Sequence, residues 1–312
     1  MSEVFSATKK GAFVIHQDTH VGHVVLKVKD LERQIAFYED VVGLQVIQRD
    51  EINASLAGKG GTRAILKLEK TANELQGARS TGVFHTAFLL PTREAFATKL
   101  FHILRSKKTV DSPLEQEPRF THFERFIPIA RLDSASDHGY SEAFYLYDIE
   151  GNGIEIYADR PREDWTKYPG GSNPLNFKEL AELADFDTDG SIPATTTIGH
   201  VHLRVANVLA STKFYVDVIG FEEQIVLDSA FFISVGGYHH HIAGNVWAGE
   251  NNPHPPANAT GLKEYTLVLP TSEALEEVKN QLLQNNVEMN EQEQSFSTID
   301  PSGNGIVFEV LS

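Results

Sequence analysis

The stretch VGHVVLKVKDLERQIAFYEDVVG, residues 21–43, returns at residues 198–220 as IGHVHLRVANVLASTKFYVDVIG. Two later segments also recur in the same order: FHTAFLLPTREA (84–95) returns as KEYTLVLPTSEA (263–274), and DIEGNGIEIY (148–157) returns as DPSGNGIVFE (300–309). A repeat of this kind defines the structural unit before any other feature is considered. Residues that are the same in both copies indicate a structural role, whereas a His or Glu present in only one copy indicates a role in function.

Each copy predicts the same order of secondary structure. HVVLKV and HVHLRV alternate as half-buried strands do, and LERQIAFYEDV carries apolar residues at helical spacing before Gly43. Short β-runs follow, so the pattern is βαβββ, four times. We predict an α+β protein with two tandem domains, residues 19–160 and 197–312, joined by a linker with a short helix at 161–196. Pairs of such small units should curl into cups with an interior cavity.

Composition argues against several functions. The 312-residue chain has a formal charge of −16, which disfavours nonspecific binding to nucleic acid or to an anionic membrane. No apolar run approaches the roughly 20 residues of a membrane span, and the start, MSEVFSATKKGAF, has no apolar signal core. We therefore expect a cytoplasmic protein. There are no cysteines, so any metal must be held by His and carboxylate side chains.

Candidate metal ligands lie at matching places in successive units. The first strands of the four units offer, in chain order, His23, His85, His200 and Glu264. The last strand of the second unit adds Glu155, on an otherwise apolar strand where a buried carboxylate without a partner would be costly. Two His and one carboxylate lining one cup form the facial triad of non-haem Fe(II) oxygenases. Fe(II) or Mn suits these ligands, and Zn or Ni are alternatives.

Other segments are candidates for the cavity itself. The third unit ends in a run of three histidines, of which His239 and His241 would face one way on a strand and His240 the other. Four aromatic residues are candidates for either cavity wall or core: Phe84, Phe88, Phe144 and Trp247. Residues 106–136 lengthen the second unit, and a loop of this length is predicted to be either a lid or a surface excursion.

These motifs resemble the vicinal-oxygen-chelate superfamily, which includes glyoxalase I, fosfomycin-resistance proteins and type I extradiol dioxygenases. Within it, YHHHIAGNVWAG, SDHGYSEAFYLYD, GNGIEIYADRPREDW and IGHVHLRV are similar to two-domain proteins of the catechol-2,3-dioxygenase-like branch. The resemblance covers about residues 19 to 310. It implies four βαβββ modules in two tandem vicinal-oxygen-chelate domains, paired into cup-shaped half-barrels.

The same resemblance implies an Fe(II)-dependent extradiol dioxygenase. Its substrates would be dioxygen and catechol or a related aromatic diol, as in aromatic hydrocarbon catabolism. The alternatives are a glyoxalase-like lyase or isomerase using Zn or Ni, and a metal-free small-molecule binding protein on the same fold, since a scaffold does not fix function. A homodimer is compatible with either class.

The sequence allows three alternative sets of metal ligands. If units 1 and 2 share a cup, the ligands are His23, His85 and Glu155; if units 2 and 3 share one, His200 replaces His23. A third option needs a two-residue shift and takes its ligands from units 3 and 4: His200, Glu264 and Glu309. We favour His85, Glu155 and His200, because that choice gathers the histidine run and the carboxylate into one cavity and leaves the cup of units 1 and 4 vestigial.

Resemblance also suggests residues outside the triad. Tyr145 matches the active-site Tyr of extradiol enzymes, which orients the substrate near the metal. The run His239–His241 occupies the place of the acid/base His of those enzymes, and within it we favour His240, with His239 and His241 as alternatives. Asp137 and His138, in SDHGYS, are expected to support these groups.

Overall fold

The computed structural model describes residues 9–111, 124–167 and 171–310. Most strands belong to two mixed sheets, and each sheet takes strands from both halves of the chain. The first contains, in spatial order, β1 (Lys9–Lys10), β13 (Glu222–Val226), β14 (Ala230–Ser234), β15 (Ile242–Asn245), β12 (Thr197–Arg204), β6 (Gly82–Leu89), β11 (Gly153–Asp159), β10 (Ser141–Tyr147) and β9 (Leu132–Asp137). The second contains β17 (Asn290–Glu291), β18 (Ser295–Ile299), β19 (Gly305–Val310), β16 (Gly261–Leu269), β2 (His20–Lys27), β5 (Leu66–Glu69), β4 (Asn53–Ala57) and β3 (Gln45–Arg49). Unit 2 is thus joined to unit 3, and unit 1 to unit 4.

One helix follows the first strand of each unit, so the predicted βαβββ order is confirmed. The helices are α1 (Leu31–Phe37), α2 (Arg93–Arg105), α3 (Phe177–Leu183), α4 (Val208–Lys213) and α5 (Ser272–Gln284). Short π-helical turns extend α1 and α4, and α3 is the helix expected in the linker. In the described ranges, no helix has both the length and the apolar character needed to cross a membrane. The boundaries 19–160, 161–196 and 197–312 stay predictions.

The long segment 106–136 has two parts. Its first part forms a separate hairpin of β7 (Lys107–Asp111) and β8 (Glu124–Pro128). Residues 112–123 of the predicted lid or surface excursion lie outside the described residues, so this part of it stays a prediction. Its last part is β9, which pairs with β10 as a regular edge strand of the first sheet.

Residues that are the same in both copies of the repeat make the same local contacts in the structure. The Tyr38 hydroxyl donates to Asp148 Oδ2 at 3.1 Å, and the Tyr215 hydroxyl donates to Asp300 Oδ2 at 3.0 Å. Each contact ties the end of the helical segment in one unit to the GNG turn of the next. That segment ends at a glycine with φ of 85° or 97°, which other residues rarely adopt. These repeated residues therefore serve the fold rather than one site.

Strand register brings unit 2 and unit 3 together at one point. β6 runs antiparallel to β12 and parallel to β11. Ala87, near the centre of β6, lies opposite His200 on one side and Glu155 on the other. His85 is two residues earlier on β6 and shares the face of Ala87. The small alanine side chain leaves room between the three larger ones.

Two of the four candidate wall aromatics are core residues instead. Phe88 and Phe144 are fully buried in the main hydrophobic cluster, and the Phe144 ring packs 5.5 Å from that of Phe96 on α2. Because side chains alternate along a strand, Phe88 faces away from His85, and Phe144 faces away from Tyr145. Phe144 therefore joins the sheet to α2, and both side chains belong to the core.

Candidate active site

Three side chains that are far apart in sequence meet on adjacent strands of the first sheet. Glu155 Oε2 lies 2.9 Å from His85 Nε2 and 3.0 Å from His200 Nε2. The ligand atoms of all three lie within 4.8 Å of one another, and all three residues are buried. This is a His–Glu–His group typical of a divalent metal site. We call it the triad.

The triad fits a metal ion better than it fits a purely hydrogen-bonded cluster. His85 Nε2 is buried and makes no hydrogen bond of acceptable geometry, although it lies 2.9 Å from the Glu155 carboxylate. A buried polar atom without a partner normally carries a penalty. Two ligand atoms at right angles, each about 2.1 Å from one ion, lie about 3.0 Å apart, which is the spacing found here.

The environment keeps His200 and Glu155 in the protonation states that bind a cation. Burial lowers the pKa of His200 to about 4, so its imidazole is neutral near pH 7. Burial alone would raise the pKa of Glu155, but His200 and His85 beside it hold that pKa well below its usual range. His200 therefore presents a neutral nitrogen and Glu155 a carboxylate, the forms in which these side chains ligate metals.

The second sheet does not repeat this arrangement. His23 lies on β2, where its Nε2 is 3.3 Å from Thr266 Oγ1, and the place of Glu155 is taken by Val307 on β19. The structure therefore does not bring His23 to the triad carboxylate. The structure also separates the ligands of the third predicted triad. His200 lies on the first sheet, whereas Glu264 and Glu309 lie on the second. No second such group occurs in the described parts of the chain.

The histidine run is not a strand, so the expected alternation is wrong. Two glycines with φ of 62° and 69° turn the chain just before the run, and β15 begins only after it. As a result His239 and His240 both lie on the cavity side. The His240 ring is 4.1 Å from that of His200, whereas His241 packs on Tyr238. Burial lowers the pKa of His240 well below its usual value.

Tyr145 and His138 face the cavity from the other side. The Tyr145 hydroxyl lies 2.9 Å from His138 Nε2, and His138 Nδ1 lies 2.8 Å from the carbonyl oxygen of Gly171. A carbonyl only accepts, so His138 carries a proton on Nδ1, and in its neutral form it accepts from Tyr145 through Nε2. Burial raises the pKa of Tyr145 well above its usual value, so the hydroxyl stays protonated. Asp137 accepts hydrogen bonds from Nη1 and Nη2 of Arg160 and lies at the turn before β10.

The triad opens into a cavity of about 670 Å³. One end of it is aromatic: Phe84 and Trp247 lie 5.3 Å apart edge to face, and Phe232 also lines it. Phe84 and His85 both reach the cavity although they are neighbours in sequence. The register between β6 and β12 skips Phe84, and such a bulge turns adjacent residues to one side.

Sequence reasoning missed His202, which is buried between the triad and the aromatic end. Its ring lies 4.8 Å from His85 and 5.5 Å from Trp247. Asn245 Oδ1 accepts from the Trp247 backbone N–H at 3.0 Å, so Asn245 Nδ2 donates to His202 Nε2 at 2.9 Å and the proton of His202 is on Nδ1. The signal was present in HVHLRV, where alternate residues share a face.

Comparisons with known proteins identify the family of this chain. Residues 20–127 and 197–308 match the model of the Glyoxalase/Bleomycin resistance protein/Dioxygenase superfamily. The chain is 39% identical over 308 residues to a protein named catechol-2,3-dioxygenase from Bacillus subtilis (strain 168), covering 95% of this chain and 99% of that protein.

Two solved structures show the same fold at low identity. The first is a putative dioxygenase from Bacillus subtilis subsp. subtilis str. 168, with a TM-score of 0.57 and 11% identity over 97% of this chain and 86% of that one. The second is glyoxalase I from Zea mays, with a TM-score of 0.53 and 14% identity over 94% of this chain and 92% of that one. The chain therefore belongs to the Glyoxalase/Bleomycin resistance protein/Dioxygenase superfamily.

Proposed function

We propose that this protein is an Fe(II)-dependent extradiol dioxygenase that opens the ring of catechol or a related aromatic diol. The observation that carries the proposal is the buried triad of His85, Glu155 and His200 at the end of a cavity with an aromatic wall. The 39% identity to a protein named catechol-2,3-dioxygenase supports the same reaction class.

His85, Glu155 and His200 would hold the metal. When bound, Fe(II) supplies neighbouring coordination sites for the diol and dioxygen and a path for electrons between them. Holding both reactants side by side removes much of the entropic cost of their encounter. The balanced reaction adds both atoms of dioxygen to the diol and breaks a ring bond next to the two hydroxyls, giving a ring-opened semialdehyde acid.

Three side chains outside the triad would handle protons and orientation. His240 lies beside His200 and is neutral, so it accepts a proton from a diol hydroxyl and returns it to the product. Tyr145 holds the substrate from the opposite side. His138 acts through Tyr145, because it accepts the hydrogen bond that fixes the phenol.

The cavity wall would hold the ring and limit water. Phe84 and Trp247 offer an apolar surface close to His85, against which the face or edge of an aromatic ring can pack. Exclusion of water strengthens the electrostatic interactions around the metal site and protects the reactive intermediates.

Oxygen uptake tests the proposal. The protein is loaded anaerobically with Fe(II), catechol and methylcatechols are added, and oxygen loss is followed with the absorbance of the yellow ring-opened product. We expect one oxygen consumed for each product formed. Glu155→Gln should abolish both signals because it removes the charge of the triad, whereas Glu264→Gln, an acid-to-amide change on the second sheet, should retain them.

Metal choice separates the competing activities. Parallel samples loaded with Mn, Zn or Ni identify the metal that supports turnover. Stoichiometric metal binding at the triad without oxygen consumption by any diol would contradict the dioxygenase proposal. Lyase or isomerase turnover with Zn or Ni would then replace it.

A further inference from the structure

We propose that Asp159 and His239 are positioning residues that hold His240 in the one tautomer able to take a proton from the substrate. This inference rests on the proposed function, because it gives His240 the acid/base role. The three side chains form a continuous chain of hydrogen bonds from the end of β11 to the cavity. We call Asp159, His239 and His240 the positioning chain.

Two short contacts define the positioning chain. Asp159 Oδ1 lies 3.0 Å from His239 Nε2, and His239 Nδ1 lies 2.8 Å from His240 Nδ1. Both histidines are shielded from solvent, with 1% of His239 and 6% of His240 exposed. Bulk water is therefore not a competing partner for the two Nδ1 atoms.

The direction of each hydrogen bond follows from the chemistry of the groups. A carboxylate can only accept, so His239 carries a proton on Nε2. In the neutral form of His239, Nδ1 is then the acceptor, and the proton in the second contact belongs to His240 Nδ1. His240 is left with an unprotonated Nε2. Since His240 lines the cavity and its Nδ1 is used, Nε2 is the nitrogen presented to a substrate.

The carboxylate at the start of the chain is itself fixed. Asp159 Oδ2 accepts from the Tyr238 hydroxyl at 2.8 Å, and the Tyr157 hydroxyl lies 2.8 Å from that of Tyr238. Asp159 also ends the strand that carries Glu155, so the triad and the positioning chain share one rigid element. The orientation of His240 is thus tied to the strand that holds the triad carboxylate.

Ring stacking restricts His239 as well. Its ring stacks on Tyr140 at 4.4 Å with an angle of 26° and contacts Tyr238 at 4.0 Å. A clamped ring cannot exchange the roles of its two nitrogens by flipping. The arrangement follows the general logic of a base whose second nitrogen is oriented by a further group.

Nitrogen-15 chemical shifts of histidine test the chain directly in the metal-free protein. We expect His239 protonated on Nε2 and His240 protonated on Nδ1, with signals assigned through His239→Gln and His240→Gln. Asp159→Asn replaces an obligatory acceptor by a group that can donate, so His240 should lose its single tautomer. Wild-type His240 protonated on Nε2 would overturn the inference, and this readout needs no activity.

Steady-state kinetics of the Fe(II)-loaded enzyme provide a second test of the positioning chain. Asp159→Asn and His239→Gln should lower kcat roughly 10²-fold with KM and metal content little changed, because a base in the wrong tautomer loses its proton-transfer role. His241→Gln is the matched control: the same change in the next histidine, which lies outside the positioning chain, should leave kcat near wild type. Wild-type kcat in Asp159→Asn would overturn the inference. No ring cleavage by the wild type itself would instead overturn the proposed function.

Discussion

One carboxylate distinguishes the two cups at the scale of single residues. Glu155 and Val307 occupy matching places in DIEGNGIEIY and DPSGNGIVFE. A buried carboxylate is expensive unless it is paired. Glu155 has two histidines within 3.0 Å, whereas His23 in the other cup lies 3.3 Å from the hydroxyl of Thr266. The position at which the copies differ is therefore part of the candidate metal site.

Individual residues also show which parts of the candidate site can be predicted from the sequence. His85, Glu155 and His200 could be predicted as a group, because alignment of the units placed them on neighbouring strands. Strand alternation would have removed Phe88 from the wall and added His202 to it. The cavity position of Phe84 depends on a bulge, which is a property of strand pairing and leaves no local signal in the sequence.

The burial of Lys99 predicts how the stability of the protein changes with pH. Lys99 lies buried on α2, with Nζ donating to the carbonyl oxygen of Gly190 at 2.6 Å. Burial lowers its pKa from 10.5 to about 7, although Asp189 acts in the opposite direction. Between these values the unfolded chain binds a proton that the folded chain does not. Stability from this group therefore rises with pH across the window by at most about 1.4 kcal/mol per pH unit.

Replacing Lys99 by methionine should remove that rise. The unfolding free energy of Lys99→Met relative to wild type is expected to be most favourable near pH 7 and to decline toward pH 10. Urea denaturation at several pH values measures the difference. Lys178→Met, a change at an exposed lysine on α3, should give a curve parallel to wild type. Parallel curves for Lys99→Met would refute the assignment.

At the scale of elements, the site depends on how closely β11 approaches β6. Gly153 lies opposite His85, and a Cβ added there would be 1.9 Å from the carbonyl oxygen of Phe84. The second sheet has the same close approach, since a Cβ on Gly305 would be 2.5 Å from the carbonyl oxygen of Lys263. Both glycines come from the repeated GNG turn.

Alanine at these two glycines should separate fold from function. Gly153→Ala and Gly305→Ala are each expected to lose about 1–3 kcal/mol of stability, because backbone must shift to admit the methyl group. Only Gly153→Ala should also weaken Mn(II) binding, by roughly 10-fold or more, since it moves Glu155 relative to His85. Urea unfolding and calorimetric titration measure the two effects. Equal metal affinity in both variants would show that the triad does not depend on this strand contact.

Element boundaries were the less predictable part of the fold. The strand–helix order of each unit follows from periodicity, and the structure confirms it. The histidine run resembles the start of a strand, but two glycines place it in a turn, where neighbouring side chains can face the same way. Only the folded arrangement puts His239 between Asp159 and His240.

At the scale of the whole molecule, the halves exchange partners. β6 of the first half pairs with β12 of the second, and β2 pairs with β16. Each cup is therefore built from both halves, and neither half alone contains the complete triad. The repeat makes two sheets with the same order of equivalent strands, and in the described parts of the chain only one of them carries a His–Glu–His group.

Metal content of two matched variants tests this account most directly. His200 and His23 occupy equivalent places in the repeat, so His200→Gln and His23→Gln make the same change in the two cups. After anaerobic loading with Fe(II) and removal of unbound metal, wild type and His23→Gln should retain about one ion per chain, and His200→Gln should retain almost none. Loss of metal in His23→Gln, with normal content in His200→Gln, would contradict the placement of the site.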